Sequence, residues 1–128
     1  MNHCNFFYEE KSSGNQRPRS IFVDTEPSLQ HESLMDRYGS PIDRLRTGVC
    51  RDLFAPEQLF NFNSSALTFG VGYYLQEVET AIEGLRRQVE MCESLQGFMI
   101  LNAISGGTGS GMTSKVLEEL GDEYTKKI

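Results

Sequence analysis

The residues best placed to do chemistry form one stretch, Ser105-Gly106-Gly107-Thr108-Gly109-Ser110-Gly111. Four glycines remove every β-carbon that would keep a ligand from the backbone, and they permit positive φ. The stretch stands between an apolar segment, 97–103, and an amphipathic one that starts near Ser110. If these are a strand and a helix, the loop delivers its amides at a helix N-terminus. There the unpaired N–H groups and the positive end of the dipole attract anions without any lysine. Thr108 and Ser110 add hydroxyl donors. That combination suits a phosphate chain. It equally suits a bend that lets a strand and a helix pack closely, and residue types alone leave both readings open.

Two familiar phosphate loops are excluded by spacing. A Walker-type loop ends in Gly-Lys-Ser or Gly-Lys-Thr, whereas Gly111 is followed by Met112. The dinucleotide pattern needs glycines at relative positions one, three and six. Counting from Gly107 or Gly109, the last of these falls on Met112 or Ser114. No catalytic His, Cys or Tyr-Lys arrangement lies near the loop, which argues against a dinucleotide-dependent oxidoreductase.

The elements that must hold the loop follow from the hydrophobic pattern. Ile21-Phe22-Val23 is apolar on both alternating faces, as an interior parallel strand is. Asp24-Thr25-Glu26-Pro27 reads as a helix start, with Asp24 or Thr25 capping and Pro in the first turn. Residues 28–58 carry turn signals at Gly39-Ser40-Pro41 and Ala55-Pro56 and predict short helices and loops. Leu59-Phe60-Asn61-Phe62 predicts a short edge strand, and Asn63-Ser64-Ser65 a turn. Tyr74, Leu75, Val78, Ile82, Leu85, Val89 and Cys92 recur at three and four residues and predict one helix over 72–92, with Gly84 as a weak point inside it. Residues 97–103 predict a buried strand. Met112, Val116, Leu117, Leu120 and Tyr124 predict a helix over 110–124. The first twenty residues are polar and loop-like, with a turn at Ser12-Ser13-Gly14-Asn15. Strand, helix, strand, loop, helix is the grammar of an α/β fold with a parallel sheet.

Bulk properties narrow the partners. The chain has 128 residues and a net charge of −6, with a pI near 4.9. A chain of this size can bury roughly two thirds of its unfolded surface, enough for a core. Nucleic acid needs a basic face, but Arg44, Arg46, Arg86 and Arg87 are interleaved with acids. Cys4, Cys50 and Cys92 have no zinc spacing and are odd in number, which predicts reduced thiols in a cytosolic setting. His3 and His31 stand alone and read as surface residues. Residues 1–20 do not form a signal peptide, and Phe98-Met99-Ile100-Leu101 is far too short to span a bilayer. The expectation is a soluble, intracellular protein.

Several segments carry a family resemblance. Gly-Gly-Thr-Gly-Ser-Gly at 106–111, after an apolar strand, resembles the tubulin signature, which also tolerates a serine at the place of Ser105. Residues 19–27 (Arg-Ser-Ile-Phe-Val-Asp-Thr-Glu-Pro) resemble the second strand of that family and its acidic loop. Arg46-Thr47-Gly48, Arg51, Leu53-Phe54 and Pro56-Glu57-Gln58-Leu59 resemble α-tubulins in particular, and Leu95-Gln96-Gly97-Phe98 matches the lead-in to the signature strand. The resemblance runs from about Phe6 to the end.

It implies a partial Rossmann-like, tubulin-type GTP-binding domain over 1–128, with parallel sheet, flanking helices and an insertion at roughly 33–45. GTP phosphates would be held by Gly106, Gly107, Thr108, Gly109, Ser110 and Gly111. Ser64 and Ser65 match a weaker phosphate-side loop. Asp24 and Glu26, Glu26 the better of the two, would lie beside the phosphates and Mg2+, which typically takes one or two carboxylates alongside phosphate oxygens. From the residues alone, both acids read as helix-start stabilisers. Ala103 replaces a serine common before the signature. The insertion adds roughly a dozen residues, a length surface loops tolerate.

The implied partners are other tubulin-family subunits and guanine nucleotide, and the implied setting is the cytoplasm and the microtubule cytoskeleton. The family's first strand, between those at Ile21 and Met99, has no counterpart in this sequence, nor has the segment that promotes GTP hydrolysis. Two apolar strands would therefore lack their shared partner, and the isolated chain is expected to be unstable or molten. The alternative to nucleotide binding is a tubulin-derived chain that binds nothing alone and serves as a structural or interaction piece.

Overall fold

The computed structural model describes residues 6–26 and 40–125. The chain divides into two compact units, Met1–Asn63 and Ser64–Ile128.

The first unit begins with a hairpin that composition did not predict. Strand β1 (Tyr8–Glu10) pairs antiparallel with β2 (Gln16–Pro18), Glu9 opposite Arg17. The expected turn closes it: Lys11 N–H donates to the Asn15 carbonyl at 2.8 Å, and Gly14 adopts φ 79°. The strands are short and mostly polar, so no periodicity marks them.

The two strands expected at 21–23 and 59–62 are present, and they pair with each other, which the sequence reading did not specify. Strand β3 (Phe22–Asp24) pairs with β4 (Leu59–Asn61), Val23 opposite Phe60 and Asp24 opposite Asn61. Helix α1 (Pro41–Thr47) starts at Ser40, whose side chain accepts from the Asp43 N–H, and has Pro in its first turn. It occupies part of the stretch expected as an insertion loop, and it packs on the sheet pair through Ile42, 2% exposed. Asn61 Nδ2 donates to Ser40 Oγ at 2.9 Å, and Arg46 Nη2 donates to the Leu59 carbonyl at 2.8 Å, so α1 is fastened to β4 at both ends.

Gln58, fully buried, joins the pieces. Its Oε1 accepts from the Ala55 N–H at 2.8 Å, and its Nε2 donates to the Pro18 and Ser20 carbonyls at 2.7 and 2.9 Å. A buried amide with donors and acceptor matched stabilises the fold without a desolvation penalty. Phe22 and Phe54 add an edge-to-face contact at 4.8 Å.

In the second unit, the single helix expected over 72–92 is two. Helix α2 (Phe69–Tyr73) is capped by Thr68, whose side chain accepts from the Val71 N–H. A turn follows, and α3 runs over Val78–Glu90. Gly70 and Gly72 each cost about 1 kcal/mol relative to alanine, which keeps α2 short. Val78, Ala81, Ile82 and Gly84 are the buried face of α3. The glycine counted as a weak point thus belongs to the packed side.

The expected second helix is α4 (Thr113–Glu123), preceded by a π-helical turn, Gly107–Met112. Met112 and Leu120 are buried as the stripe requires, whereas Leu117 is exposed. Arg86 on α3 grips the Glu123 carboxylate of α4 at 3.1 and 2.9 Å.

The buried strand expected over 97–103 is not formed. These residues belong to no sheet, and Met99 and Leu101 are 74% and 87% exposed. A strand needs a ladder partner for its N–H and C=O groups, and none of the described residues supplies one here. The sheets that exist are two separate two-stranded ones.

The helix start expected beyond Glu26, most of the 33–45 insertion, Cys4, His3 and His31 lie outside the described residues. Among the described residues, Cys50 is a free thiol, Cys92 Sγ donates to the Gln88 carbonyl at 3.3 Å, and no helix is long and apolar enough to cross a membrane.

Candidate functional site

The glycine stretch is a bend whose backbone is wedged between two neighbours. On one side is the segment 66–73. The Gly107 N–H donates to the Ala66 carbonyl at 3.0 Å. A β-carbon on Gly107 would lie 2.2 Å from that same oxygen, and one on Gly111 would lie 2.0 Å from the Phe69 carbonyl oxygen. On the other side is Ala103: a β-carbon on Gly109 would sit 2.2 Å from its carbonyl oxygen. Real β-carbons do not approach backbone so closely, so Gly107, Gly109 and Gly111 are glycines because the loop is packed.

Gly106 differs. Its φ is 80°, in the left-handed region, and a β-carbon there would meet nothing within 4 Å. It is glycine for its backbone angle, and it faces open space at the mouth of the bend.

Polar side chains brace the bend from within. Ser110 Oγ donates to the Gly106 carbonyl, and Thr113 Oγ1 donates to the Thr108 carbonyl at 3.2 Å. Asn102 Nδ2 donates to the Gly109 carbonyl at 2.7 Å and to the Ala103 carbonyl at 3.1 Å. These bonds consume carbonyls, the groups that would repel an anion. The turn is π-helical, a wide geometry found frequently at functional sites, and it leads directly into α4. The positive pole of α4 therefore stands behind the bend.

The two helices flanking the bend are tied together. Tyr73 of α2 donates its hydroxyl to Glu118 of α4, Lys115 Nζ lies 2.7 Å from Glu119 and 3.6 Å from Glu118, and it sits over the Tyr73 ring. The shared hydrogen bond holds the Tyr73 hydroxyl above its ordinary pKa. The same bond, with Lys115 nearby, holds the Glu118 carboxyl below the usual carboxylate range. Lys115 is raised by its bond to Glu119.

Ser64 and Ser65 lie directly before Ala66, the residue that accepts from Gly107, and so belong to the same edge of the second unit. Asn63 and Ser65 both take positive φ, 47° and 46°. The turn expected over 63–65 is not formed as such: the segment is irregular, with positive φ at two of its residues.

Asp24 and Glu26 belong to the first unit. Asp24 Oδ1 accepts from the Thr25 and Glu26 N–H groups at 2.8 and 3.3 Å. It therefore holds the bend at 24–26, whereas the helix start expected of these acids lies outside the described residues. Glu26 is exposed. No group of three or more His, Cys, Asp or Glu among the described residues could hold a metal ion.

Sequence reasoning missed Ala66, Gly72, Tyr73 and Asn102 as supports of the bend. Gly70-Val71-Gly72 ahead of a helix was the one available signal for close packing. Asn102 and the Tyr73–Glu118 pair had none.

The family model described as Tubulin/FtsZ family, GTPase domain, matches residues 1–128, the whole chain. The chain belongs to the Tubulin/FtsZ family. Tubulin alpha-1 chain of Arabidopsis thaliana is 41% identical over 127 residues, covering 96% of this chain and 26% of that protein. Tubulin alpha-2 chain of Emericella nidulans is 42% identical over 125 residues, covering 94% of this chain and 25% of its own length. The chain therefore spans about a quarter of the length of these curated relatives. α-Tubulins are its homologues, as the segments around Arg46 and Pro56 implied.

Proposed function

We propose that this tubulin-family chain binds GTP, with the phosphates on the bend 105–111. One observation carries the reading. Gly106 presents left-handed backbone to open space at a bend whose carbonyls are partly occupied by Asn102, Ser110 and Thr113 and which has the α4 dipole behind it. An anion on 106–111 is met by the remaining amides and the Thr108 hydroxyl, the Gly107 amide and the Ser110 hydroxyl joining only in exchange for their bonds to Ala66 and Gly106, with Ser64 and Ser65 as weaker donors alongside. Bound Mg2+ would neutralise phosphate charge, Glu26 supplying its carboxylate and Asp24 holding the turn that carries Glu26.

The fold that goes with this reading is a partial Rossmann-like tubulin nucleotide-binding domain. The role that goes with it is a structural constituent of the microtubule cytoskeleton in the cytoplasm, with other tubulin-family subunits as partners. GTP hydrolysis is not assigned to any residue of this chain.

The test is titration of the purified chain with a labelled GTP analogue in Mg2+, beside Thr108→Ala. Saturable binding is expected, weakened about tenfold in the variant, the scale of one hydrogen bond to a charged group. Equal affinity in both proteins would remove the bend from the site.

A second reading is favoured by a specific finding: three of the four loop glycines are accounted for by backbone packing alone. On that reading the chain is a structural or interaction piece that binds no nucleotide by itself. Absence of saturable binding up to millimolar ligand would select it.

A further inference from the structure

Asn102 carries the one polar side chain between Gly97 and Ile104, in a run of Phe, Met, Ile, Leu and Ala. Asparagine is disfavoured in strand-prone runs of this kind, so its place just ahead of the glycine bend calls for a reason. The reason is in its bonds. A side-chain amide has two N–H donors, and Asn102 Nδ2 directs both to backbone: to the Gly109 carbonyl at 2.7 Å and to the Ala103 carbonyl at 3.1 Å.

The two oxygens come together because the backbones touch. A β-carbon on Gly109 would fall 2.2 Å from the Ala103 carbonyl oxygen. Carbonyl oxygens gathered at one spot repel each other unless a donor stands between them, and the Asn102 amide is that donor. Ser110 braces the bend from within and Thr113 from α4, whereas Asn102 braces it from the segment that enters it.

The consequence falls on an amide. A peptide unit is planar and trans, so its C=O and N–H point in opposite directions. Pinning the Gly109 carbonyl toward Asn102 aims the Ser110 N–H the other way. Ser110 is in the first turn of the helical segment that opens at Gly107, where N–H groups have no carbonyl of a preceding turn to meet.

We propose that Asn102 is a positioning residue for the phosphate site: it holds the peptide between Gly109 and Ser110 so that the Ser110 amide faces an anion. The inference rests on the proposed phosphate site at 105–111 and adds a residue outside that bend on which the site's geometry depends. It concerns the phosphates alone, so it applies to any polyphosphate chain.

The experiment is titration of the full chain with the labelled GTP analogue and, separately, with inorganic tripolyphosphate. Wild type, Asn102→Ala, Asn102→Asp and Asn102→Gln are compared, beside NMR of the Gly109 carbonyl and the Ser110 amide in the free proteins. Asn102 is exposed, so none of the substitutions removes core. Asn102→Ala is expected to weaken both ligands about tenfold, within what two neutral hydrogen bonds contribute, and to shift both resonances. Asn102→Asp keeps the shape but has no donor when ionised, and is expected to bind no better than Asn102→Ala. Asn102→Gln keeps the amide and is expected to recover most of the loss, which side-chain bulk alone does not achieve in Asn102→Asp. Wild-type affinity in Asn102→Ala, unmoved resonances at 109 and 110, or Asn102→Gln no better than Asn102→Ala each overturns the proposal and leaves the phosphate site in place. A wild-type chain that binds neither ligand removes the phosphate site and this role with it, so the wild type tells the two failures apart.

Discussion

Gly72 lies against Gly107: a β-carbon built on Gly72 would fall 2.0 Å from the Gly107 carbonyl oxygen and 3.0 Å from the Met112 nitrogen. The first turn of the glycine bend is thus seated directly on helix α2. Gly72→Ala must push backbone against backbone, an overpacking cost of about 1–3 kcal/mol. Hydrogen exchange at the Gly107 amide, bonded to Ala66, is the measurement, and faster exchange in the variant is expected. Unchanged protection would mean that the seat is softer than its geometry.

The Tyr73–Glu118 pair sets a pH window for the contact between α2 and α4. Glu118 titrates lower in the folded state than unfolded, so its contribution is present above the ordinary carboxylate value and fades as pH falls through the lowered one. Tyr73 is raised from 10.0, so its contribution is present below that value and is lost as pH rises through the raised one. Protection of α4 amides in the wild type should exceed that in Tyr73→Phe across neutral pH, and the difference should vanish at both extremes. A constant difference would show that the hydroxyl acts by packing alone.

Gln58 has a different kind of leverage. Gln58→Leu keeps the volume but strips hydrogen bonds from the Pro18 and Ser20 carbonyls and the Ala55 N–H. Each buried polar group left without a partner costs about 1–3 kcal/mol. The variant should be cleaved faster by a protease in the 14–20 region and lose amide protection in β3. Wild-type resistance would show that water replaces the amide.

Glu26→Gln isolates the proposed magnesium role. It removes an exposed carboxylate and leaves the Asp24 turn bonds in place. GTP binding in the variant should lose its dependence on Mg2+ while keeping its strength in Mg2+-free buffer. Retained Mg2+ dependence would point to ligands other than Glu26.

Much of the fold could be read from side-chain pattern, and the failures share a cause. Phe22-Val23 and Leu59-Phe60 each announced a strand, and both form because each is the ladder partner of the other. Residues 97–103 announced a strand just as clearly, yet the structure leaves them unpaired. Period and propensity describe what a segment prefers, whereas a strand exists only when a second strand lies beside it. Helix α3 was visible in Val78, Ile82 and Leu85, but its separation from α2 was not. Gly72 is seated on Gly107, a contact between residues far apart in sequence that the helical period could not announce. The hairpin at Tyr8–Pro18 was hidden because polar strands on a turn carry no periodic signal beyond the turn itself.

The site was partly legible for the same reason. The glycines could be located from their spacing, but not sorted. Only coordinates separate Gly106, glycine for its φ, from Gly107, Gly109 and Gly111, glycine for lack of room.

The most direct measurement is calorimetric titration of the chain with GTP, GDP and guanosine in the same Mg2+ buffer. If the bend at 105–111 holds the phosphates, GTP binds saturably, GDP more weakly, and guanosine not measurably below millimolar concentration. Guanosine binding as tightly as GTP, or no heat from any of the three, would contradict that account.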